Sequence, residues 1–153
     1  MTENTNPTGG TPAPQVWPTL RAADAPALIR FLVDVVGFEA TAVYAEGATV
    51  HHAQLSWPLG GGIMLGSARS EPDDPWPLRP GSFGAYVVVD DPDALYERVR
   101  AAGAEVAVGL HDTDYGSREF AVRDPERNRW SFGTYRGEPR TAPGRPARAA
   151  AGG

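Results

Sequence analysis

The chain contains no cysteine and no lysine, and each absence excludes a class of chemistry. Without cysteine there is no disulfide, no thiolate nucleophile and no Cys-ligated zinc or iron–sulfur site. All 14 basic residues are arginine, so a Schiff-base lysine and a phosphate-loop lysine are excluded as well. The net charge of −5 has the wrong sign for binding nucleic acid through bulk charge.

Long apolar segments are also missing. No run approaches the ~18 apolar residues that a membrane-spanning helix needs, and the first residues lack the charged and then apolar pattern of a signal peptide. We therefore expect a cytoplasmic protein that binds neither membranes nor nucleic acid.

The composition is that of a single globular domain with a tail at each end. The 153 residues are 41% hydrophobic, close to the average of soluble proteins. Residues 1–15 and 137–153 lack periodicity and are rich in small residues and proline, which predicts disordered tails. The domain between them, residues 16–136, is long enough to bury roughly two-thirds of the surface that its unfolded chain exposes.

An internal duplication organises this domain. Asp24 and Gly37 bound a first helical pattern, and Asp91 and Gly103 bound a second one about 67 residues later. Each aspartate is a predicted helix N-cap followed by proline, and each glycine follows the last helical residue, where it adopts a left-handed conformation without steric cost. A repeat of this kind predicts two copies of one supersecondary unit.

Short alternating segments surround both helices and predict strands. They lie at residues 16–21, 39–45, 49–57, 61–66, 83–89, 105–110, 116–123 and 127–134. The order is β-α-β-β-β twice, in modules 16–66 and 83–134 joined by a proline-rich connector, 67–82. The predicted class is therefore α+β: two tandem modules that form a curved mixed sheet, or cup, with the helices on its outer face.

Alternation along the strands separates an apolar face from a mixed one. Trp57 and Trp130 fall on the apolar side, which the helices cover, and we expect both in the core. Trp17, Met64 and Tyr86 fall on the other side, which faces the inside of the cup. A concave, aromatic face of this kind favours a binding pocket.

The chain resembles the vicinal oxygen chelate superfamily, which includes glyoxalases, bleomycin resistance proteins and dioxygenases. The resemblance rests on the modules and on four phrases, which are Asp24 to Glu39, His52-Ala-Gln-Leu55, Gly60-Gly-Gly-Ile-Met-Leu-Gly66 and Asp124-Pro-Glu-Arg-Asn-Arg-Trp130. Arg127 replaces the glycine that the family usually has in the last phrase, and we expect Asn128 to supply the left-handed residue of that turn instead.

The resemblance also implies where a metal ion would bind. Metal-using members take their ligands, commonly His, Gln and Glu, from the first and fourth strand of each module. The equivalent positions here are Trp17, Met64, Gly84 and Ser131, which offer no donor that a divalent cation prefers. The interpretation is that no metal and no cofactor are bound, and that the apolar cup takes an organic ligand.

Six residues are predicted to contact such a ligand: Trp17, His52, Gln54, Met64, Tyr86 and Ser131. The two aromatic rings, Trp17 and Tyr86, are placed to stack on a flat molecule, although packing inside the cup or between subunits explains them equally well. His52 and Gln54 are placed to hydrogen-bond a ligand, with a purely structural histidine as the alternative. His51 is expected to point the opposite way because neighbours alternate on a regular strand.

The sequence leaves two alternative roles for each of two further side chains, Glu119 and Trp76. Glu119 is a weak candidate for a catalytic general base in the cup, and pairing with a nearby arginine is its structural alternative. Trp76, among the prolines of the connector, is either a lid over a pocket or a surface anchor.

Three functions are compatible with these features. The first is metal-free binding of a hydrophobic or cationic small molecule, of the drug-resistance type. The second is an enzyme, either a lyase or isomerase using His52, Gln54 and Glu119 or a metal enzyme with relocated ligands. The third is a structural or regulatory dimer with a filled cup. The resemblance implies a homodimer in each case.

Overall fold

A computed structural model describes residues 15–139 of the chain. The predicted tails, 1–15 and 137–153, lie outside the described residues except for residue 15 and residues 137–139. No helix within residues 15–139 is long and apolar enough to cross a membrane.

Both predicted modules are present. The first consists of β1 (Thr19–Ala22), α1 (Ala25–Arg30), a π-helical continuation of that helix (Phe31–Val36), β2 (Glu39–Glu46), β3 (Thr49–Ser56) and β4 (Gly62–Ser67). The second consists of β5 (Gly84–Val88), α2 (Pro92–Ala101), β6 (Glu105–Asp112), β7 (Arg118–Arg123) and β8 (Arg129–Gly133). The α+β class and the tandem β-α-β-β-β arrangement are confirmed.

Each module forms its own four-stranded mixed sheet, and the two sheets have the same topology. The strand orders are β1-β4-β3-β2 and β5-β8-β7-β6, and the first pair of each sheet is parallel. Thr19 pairs with Met64 in the first sheet, and Tyr86 pairs with Ser131 in the second. Both members of the second pair follow their counterparts by the same 67 positions, as the duplication in the sequence requires.

The helix boundaries follow the capping residues of the sequence. The carboxylates of Asp24 and Asp91 each accept a hydrogen bond, 3.1 Å long, from the backbone N–H three residues later. Gly37 and Gly103 have φ angles of 111° and 78°, so both glycines take the left-handed conformation that ends a helix. The repeated Asp-to-Gly unit is therefore confirmed in both modules.

The core is one continuous cluster that both modules share, because the helices lie between the two sheets. The rings of Phe38 and Trp130 pack edge to face across the module boundary, with their centroids 5.7 Å apart. The guanidinium of Arg98 on α2 donates to the backbone carbonyl of Asp34. Trp130 is fully buried and Trp57 packs against the cluster, as expected for both residues.

The helices leave one face of each sheet uncovered, and both of these faces point away from the shared core. The first face carries the side chains of Thr19, Arg21, His52, Gln54 and Met64. The second face carries Tyr86, Glu119, Ser131 and Gly133.

Two local expectations are wrong. The first strand begins at Thr19 rather than at residue 16, so Trp17 precedes it. The left-handed residue of the last turn is Arg127, with φ of 74°, and not Asn128. The Asn128 side chain is buried, accepts from the Phe83 N–H and donates to Asp124, which fixes its backbone in an ordinary conformation.

Candidate functional site

The connector between the modules lies against the β1 edge of the first face. We call its residues 71–78 the strap. The indole N–H of Trp76 donates to Thr19 Oγ1 at 2.7 Å, and the Arg21 guanidinium donates to the Trp76 carbonyl at 3.2 Å. Trp76 is therefore held against the first face at both its side chain and its backbone, although about half of its surface is exposed.

An ion pair in a desolvated position fixes the strap. Arg21 Nη2 and Asp74 Oδ1 are 3.2 Å apart, and only 14% and 4% of their side-chain surfaces are exposed. Arg21 also donates to the Ser67 carbonyl, and Asp74 accepts from the Trp76 N–H. Losing either partner would strand a charge away from water, so the pair strongly favours this one strap position.

A pocket with a volume of about 260 Å³ lies between the strap and strands β1, β3 and β4. It is lined by Thr19, Leu20, Arg21, His51, His52, Met64, Leu65, Gly66 and Trp76. The Tyr44 ring stacks on His52 at a centroid distance of 6.2 Å, which supports the imidazole from the side of β2. An indole, an imidazole and a thioether thus surround a space into which a flat ring fits.

Both histidines line this pocket, against the expectation that His51 would point away. The expectation assumed a regular strand, but the pairing of β2 with β3 shifts at this point. Tyr44 pairs with His52 whereas Ala45 pairs with Val50, so His51 is an extra residue in a β-bulge. The bulge turns His51 toward the pocket rim, where it lies 3.7 Å from a Glu46 oxygen.

The second face carries a carboxylate among three tyrosines. The Tyr115 hydroxyl donates to Glu119 Oε1 at 2.7 Å, and the Tyr86 hydroxyl donates to the Tyr135 carbonyl at 2.7 Å. The hydrogen bond to Glu119 raises the pKa of Tyr115, because it favours the neutral phenol. Burial raises the pKa of Tyr86, because removal from water also favours the neutral phenol. We call Tyr86, Tyr115, Glu119 and Tyr135 the tyrosine–carboxylate cluster.

The predicted ligand contacts divide between the two faces. His52 and Met64 meet in the pocket, and Gln54 lies beside Met64 on the same face. Trp17 lies over Gly62 at the other end of β4. A Cβ added at Gly62 would come within 2.8 Å of the Trp17 ring.

Tyr86, Ser131 and Glu119 belong to the second face instead. The first-face pocket takes no lining residue from the second module. The predicted contacts on the second face therefore do not line the first-face pocket.

The donors that the family uses for a metal ion are missing from the corresponding positions. The sequence placed these positions at Trp17, Met64, Gly84 and Ser131, but Met64 pairs with Thr19 rather than with Trp17, and Ser131 pairs with Tyr86 rather than with Gly84. None of these six residues is a histidine or a carboxylate. Within residues 15–139, no group of three or more His, Asp or Glu side chains is close enough to hold an ion. The residues present therefore do not fit the divalent ion of the metal-using members.

A second cavity, with a volume of about 340 Å³, lies between the modules. Its walls include Phe38, Trp57, Phe83 and Trp130, which already pack on one another with ring centroids 5.0 to 5.7 Å apart. The indole of Trp57 also donates to the Val88 carbonyl across this boundary. These contacts hold the modules together, so we place the candidate site at the first-face pocket, where polar anchors converge.

Comparison with known proteins agrees with this architecture. Residues 15–132 match the model of the glyoxalase/bleomycin resistance protein/dioxygenase superfamily. The chain belongs to this superfamily. No curated protein is similar enough to this superfamily member to count as a match.

Several solved structures are similar to this superfamily member. TioX from Micromonospora sp. ML1 is 27% identical, with a TM-score of 0.68 over 79% of this chain and 98% of TioX. TnmS3, an antibiotic binding protein from Streptomyces sp. CB03234, is 24% identical, with a TM-score of 0.58 over 74% of this chain and 88% of TnmS3. A glyoxalase/bleomycin resistance protein from the same Streptomyces strain is also 24% identical. Its TM-score is 0.57, and the match covers 74% of this chain and 94% of that protein. The two likenesses at 24% identity establish the fold.

Proposed function

We propose that this protein binds and sequesters a flat, largely apolar small molecule on its first face, without a metal ion. One observation carries the proposal: Trp76 is fixed opposite His52 and Met64 by a hydrogen bond and a desolvated ion pair. Aromatic and thioether walls bind flat rings through dispersion and stacking, and a wall that is already in place loses little entropy on binding.

The size of the pocket bears on the kind of ligand. A volume of about 260 Å³ lies just below the ~300–1,000 Å³ of typical ligand pockets. A ligand of about 25 heavy atoms would gain roughly 7–8 kcal/mol, or about micromolar affinity, at ~0.3 kcal/mol per atom. Such a ligand extends beyond the first face, and we expect a second copy of the chain to cover it as a homodimer. The location in the cytoplasm stays a prediction.

The similar structures support a binding role. TnmS3 is an antibiotic binding protein with the same fold, so this fold accommodates drug-like compounds in at least one relative. The net charge of −5 is compatible with a cationic ligand.

The enzymatic alternative finds less support in the geometry. An acid–base mechanism that uses His52, Gln54 and Glu119 needs these groups around one substrate. His52 and Gln54 lie on the first face and Glu119 lies on the second, so one chain does not bring them together.

Fluorescence titration tests the proposal with 9-aminoacridine, a flat tricyclic cation, and acridone, a neutral molecule of similar shape. In the presence of EDTA both compounds should bind saturably to the wild type. Trp76→Ala should weaken the binding at least tenfold, because it removes one wall of the pocket. Leu78→Ala is the matched control, since Leu78 is an exposed residue of the same strap outside the pocket lining.

Unchanged affinity in Trp76→Ala would remove the first face from the site. Metal analysis of protein purified without chelators separates binding from metal catalysis. The proposal expects substoichiometric metal, whereas one equivalent of zinc, iron, nickel or manganese that binding requires would contradict it.

A further inference from the structure

We propose that the tyrosine–carboxylate cluster on the second face binds an organic ammonium group. This inference rests on the proposed function in one respect, that the chain takes small organic ligands, and it names the charge of the group that the second face recognises. The cluster shares no residue with the first-face pocket, so the two sites are tested separately.

The strongest indication is an unsatisfied carboxylate oxygen. Glu119 Oε1 accepts from the Tyr115 hydroxyl, whereas Oε2 is buried and accepts no hydrogen bond of good geometry from the described residues, since the Tyr86 hydroxyl next to Glu119 donates to the Tyr135 carbonyl. Buried polar atoms in folded proteins are nearly always hydrogen-bonded, and an unpaired carboxylate oxygen is costly. A ligand with N–H donors and a positive charge supplies both of the missing interactions.

Two basic side chains, Arg118 and Arg136, already pair with other carboxylates. Arg118, the preceding residue, is bound to Asp93 at 2.7 Å and to Asp112 at 3.1 Å. Arg136 forms an ion pair with Asp90. Within residues 15–139, Glu119 itself takes part in no ion pair, so its charge is available to a cation from outside the chain.

Aromatic rings frame the carboxylate on its solvent side. Tyr86, Tyr115 and Tyr135 are 43%, 58% and 39% exposed, which is unusual for three large rings in one patch. Tyr115 and Tyr135 meet edge to face, with centroids 5.8 Å apart. Tyrosine faces attract ammonium groups through the ring quadrupole, and a carboxylate among them adds direct charge. Tyr115 is the most exposed of the three.

A glycine makes room for this arrangement. A Cβ at Gly133 would lie 2.5 Å from the Tyr86 hydroxyl, 2.7 Å from Glu119 Cγ and 2.9 Å from Oε2. The two side chains therefore occupy the space that a larger residue would take, and they come together directly over β8. The cluster therefore requires a glycine at position 133, because any larger residue would displace Tyr86 or Glu119.

The test uses benzylammonium and its neutral analogue benzyl alcohol, followed by ¹H–¹⁵N NMR of the full-length protein. Benzylammonium should shift the amide signals around Glu119 and Gly133 and should bind at least tenfold more tightly than benzyl alcohol. Glu119→Gln should lower the benzylammonium affinity at least tenfold. Glu105→Gln is the matched control, because Glu105 is an exposed carboxylate on β6 that pairs with Arg127, and it should bind as the wild type does.

Equal binding of the two compounds by the wild type would overturn the inference, and this comparison needs no variant to fold. Wild-type affinity in Glu119→Gln would overturn it too. A thermal melt separates recognition from a structural role: a binding carboxylate predicts an unchanged or higher melting temperature in Glu119→Gln. Trp76→Ala should still bind benzylammonium, so failure of the first-face site and failure of this one are distinguishable.

Discussion

Trp76 donates its indole N–H to Thr19 Oγ1 at 2.7 Å, across 57 positions of the chain. This hydrogen bond brings the connector onto the first face and gives the pocket one of its walls. Thr19 is also the strand partner of Met64, so the same residue supports the wall and the floor of the pocket. The candidate site therefore depends on the contact between a connector and the edge strand of a sheet.

The strap should lose its position when its ion pair is broken. Asp74→Ala leaves the Arg21 guanidinium without its anion, and we expect a loss of about 3 kcal/mol in the free energy of unfolding. Urea denaturation measures this loss. Asp73→Ala is the matched control because Asp73 is the exposed neighbour, and it should change the stability by less than about 0.5 kcal/mol. Equal stabilities of the two variants would contradict the role given to the ion pair.

The turn before β8 should be the most sensitive polar element of the second module. The buried Asp124 carboxylate accepts hydrogen bonds from the Glu126 and Asn128 backbone N–H groups, the Asn128 side chain and the Trp130 indole. Asp124→Ala leaves several buried donors unpaired and should cost about 3 kcal/mol or more.

The helix N-cap Asp91 provides a comparison for Asp124, since it satisfies a single exposed donor. Asp91→Ala should cost about 1 kcal/mol. The same urea denaturation measures both variants, and a smaller loss for Asp124→Ala than for Asp91→Ala would be inconsistent with this network.

Tyrosine titration reports on the second face. The raised pKa of Tyr115 has the hydrogen bond to Glu119 as its main cause, so Glu119→Gln should move this pKa back toward the ordinary value. Absorbance at 295 nm during an alkaline titration measures the change. An unaltered Tyr115 titration would contradict the hydrogen bond.

The same shifts predict how stability depends on pH. Tyr86 and Tyr115 have raised pKa values in the folded state, so the folded protein holds these protons more tightly than the unfolded chain does. Their stabilising contribution is complete below about pH 10 and is lost as the pH rises through the folded pKa values. Denaturation between pH 9 and 12 should show a shallower fall in Glu119→Gln.

Periodicity and the internal repeat predicted most of the fold. The helix boundaries have local signals in the sequence, namely the caps Asp24 and Asp91 and the terminal glycines Gly37 and Gly103. The strands of both modules are likewise indicated by alternation of apolar and polar residues. The repeat of 67 positions also relates Met64 to Ser131, but their partners on the first strands are Thr19 and Tyr86, two residues beyond the expected Trp17 and Gly84.

The contacts that form the candidate site could not be predicted from local sequence patterns. The contact of Arg21 with Asp74 joins residues 53 positions apart, and neither residue stands out by type or spacing. The bulge that turns His51 toward the pocket is a shift in pairing that alternation does not reveal. The separation of the two faces follows from how the helices pack on each other, which is a tertiary contact. The proline-rich connector and Trp76 were the one visible hint.

The indole signals in a ¹H–¹⁵N spectrum test the central claim most directly, because three of the four tryptophans donate to different known acceptors. With EDTA present, adding 9-aminoacridine should shift the Trp76 indole signal, whereas those of Trp57 and Trp130, bonded to Val88 and Asp124, should stay in place. A Trp76 signal that does not move, or that moves only when a divalent metal is added, would contradict metal-free binding at the first face.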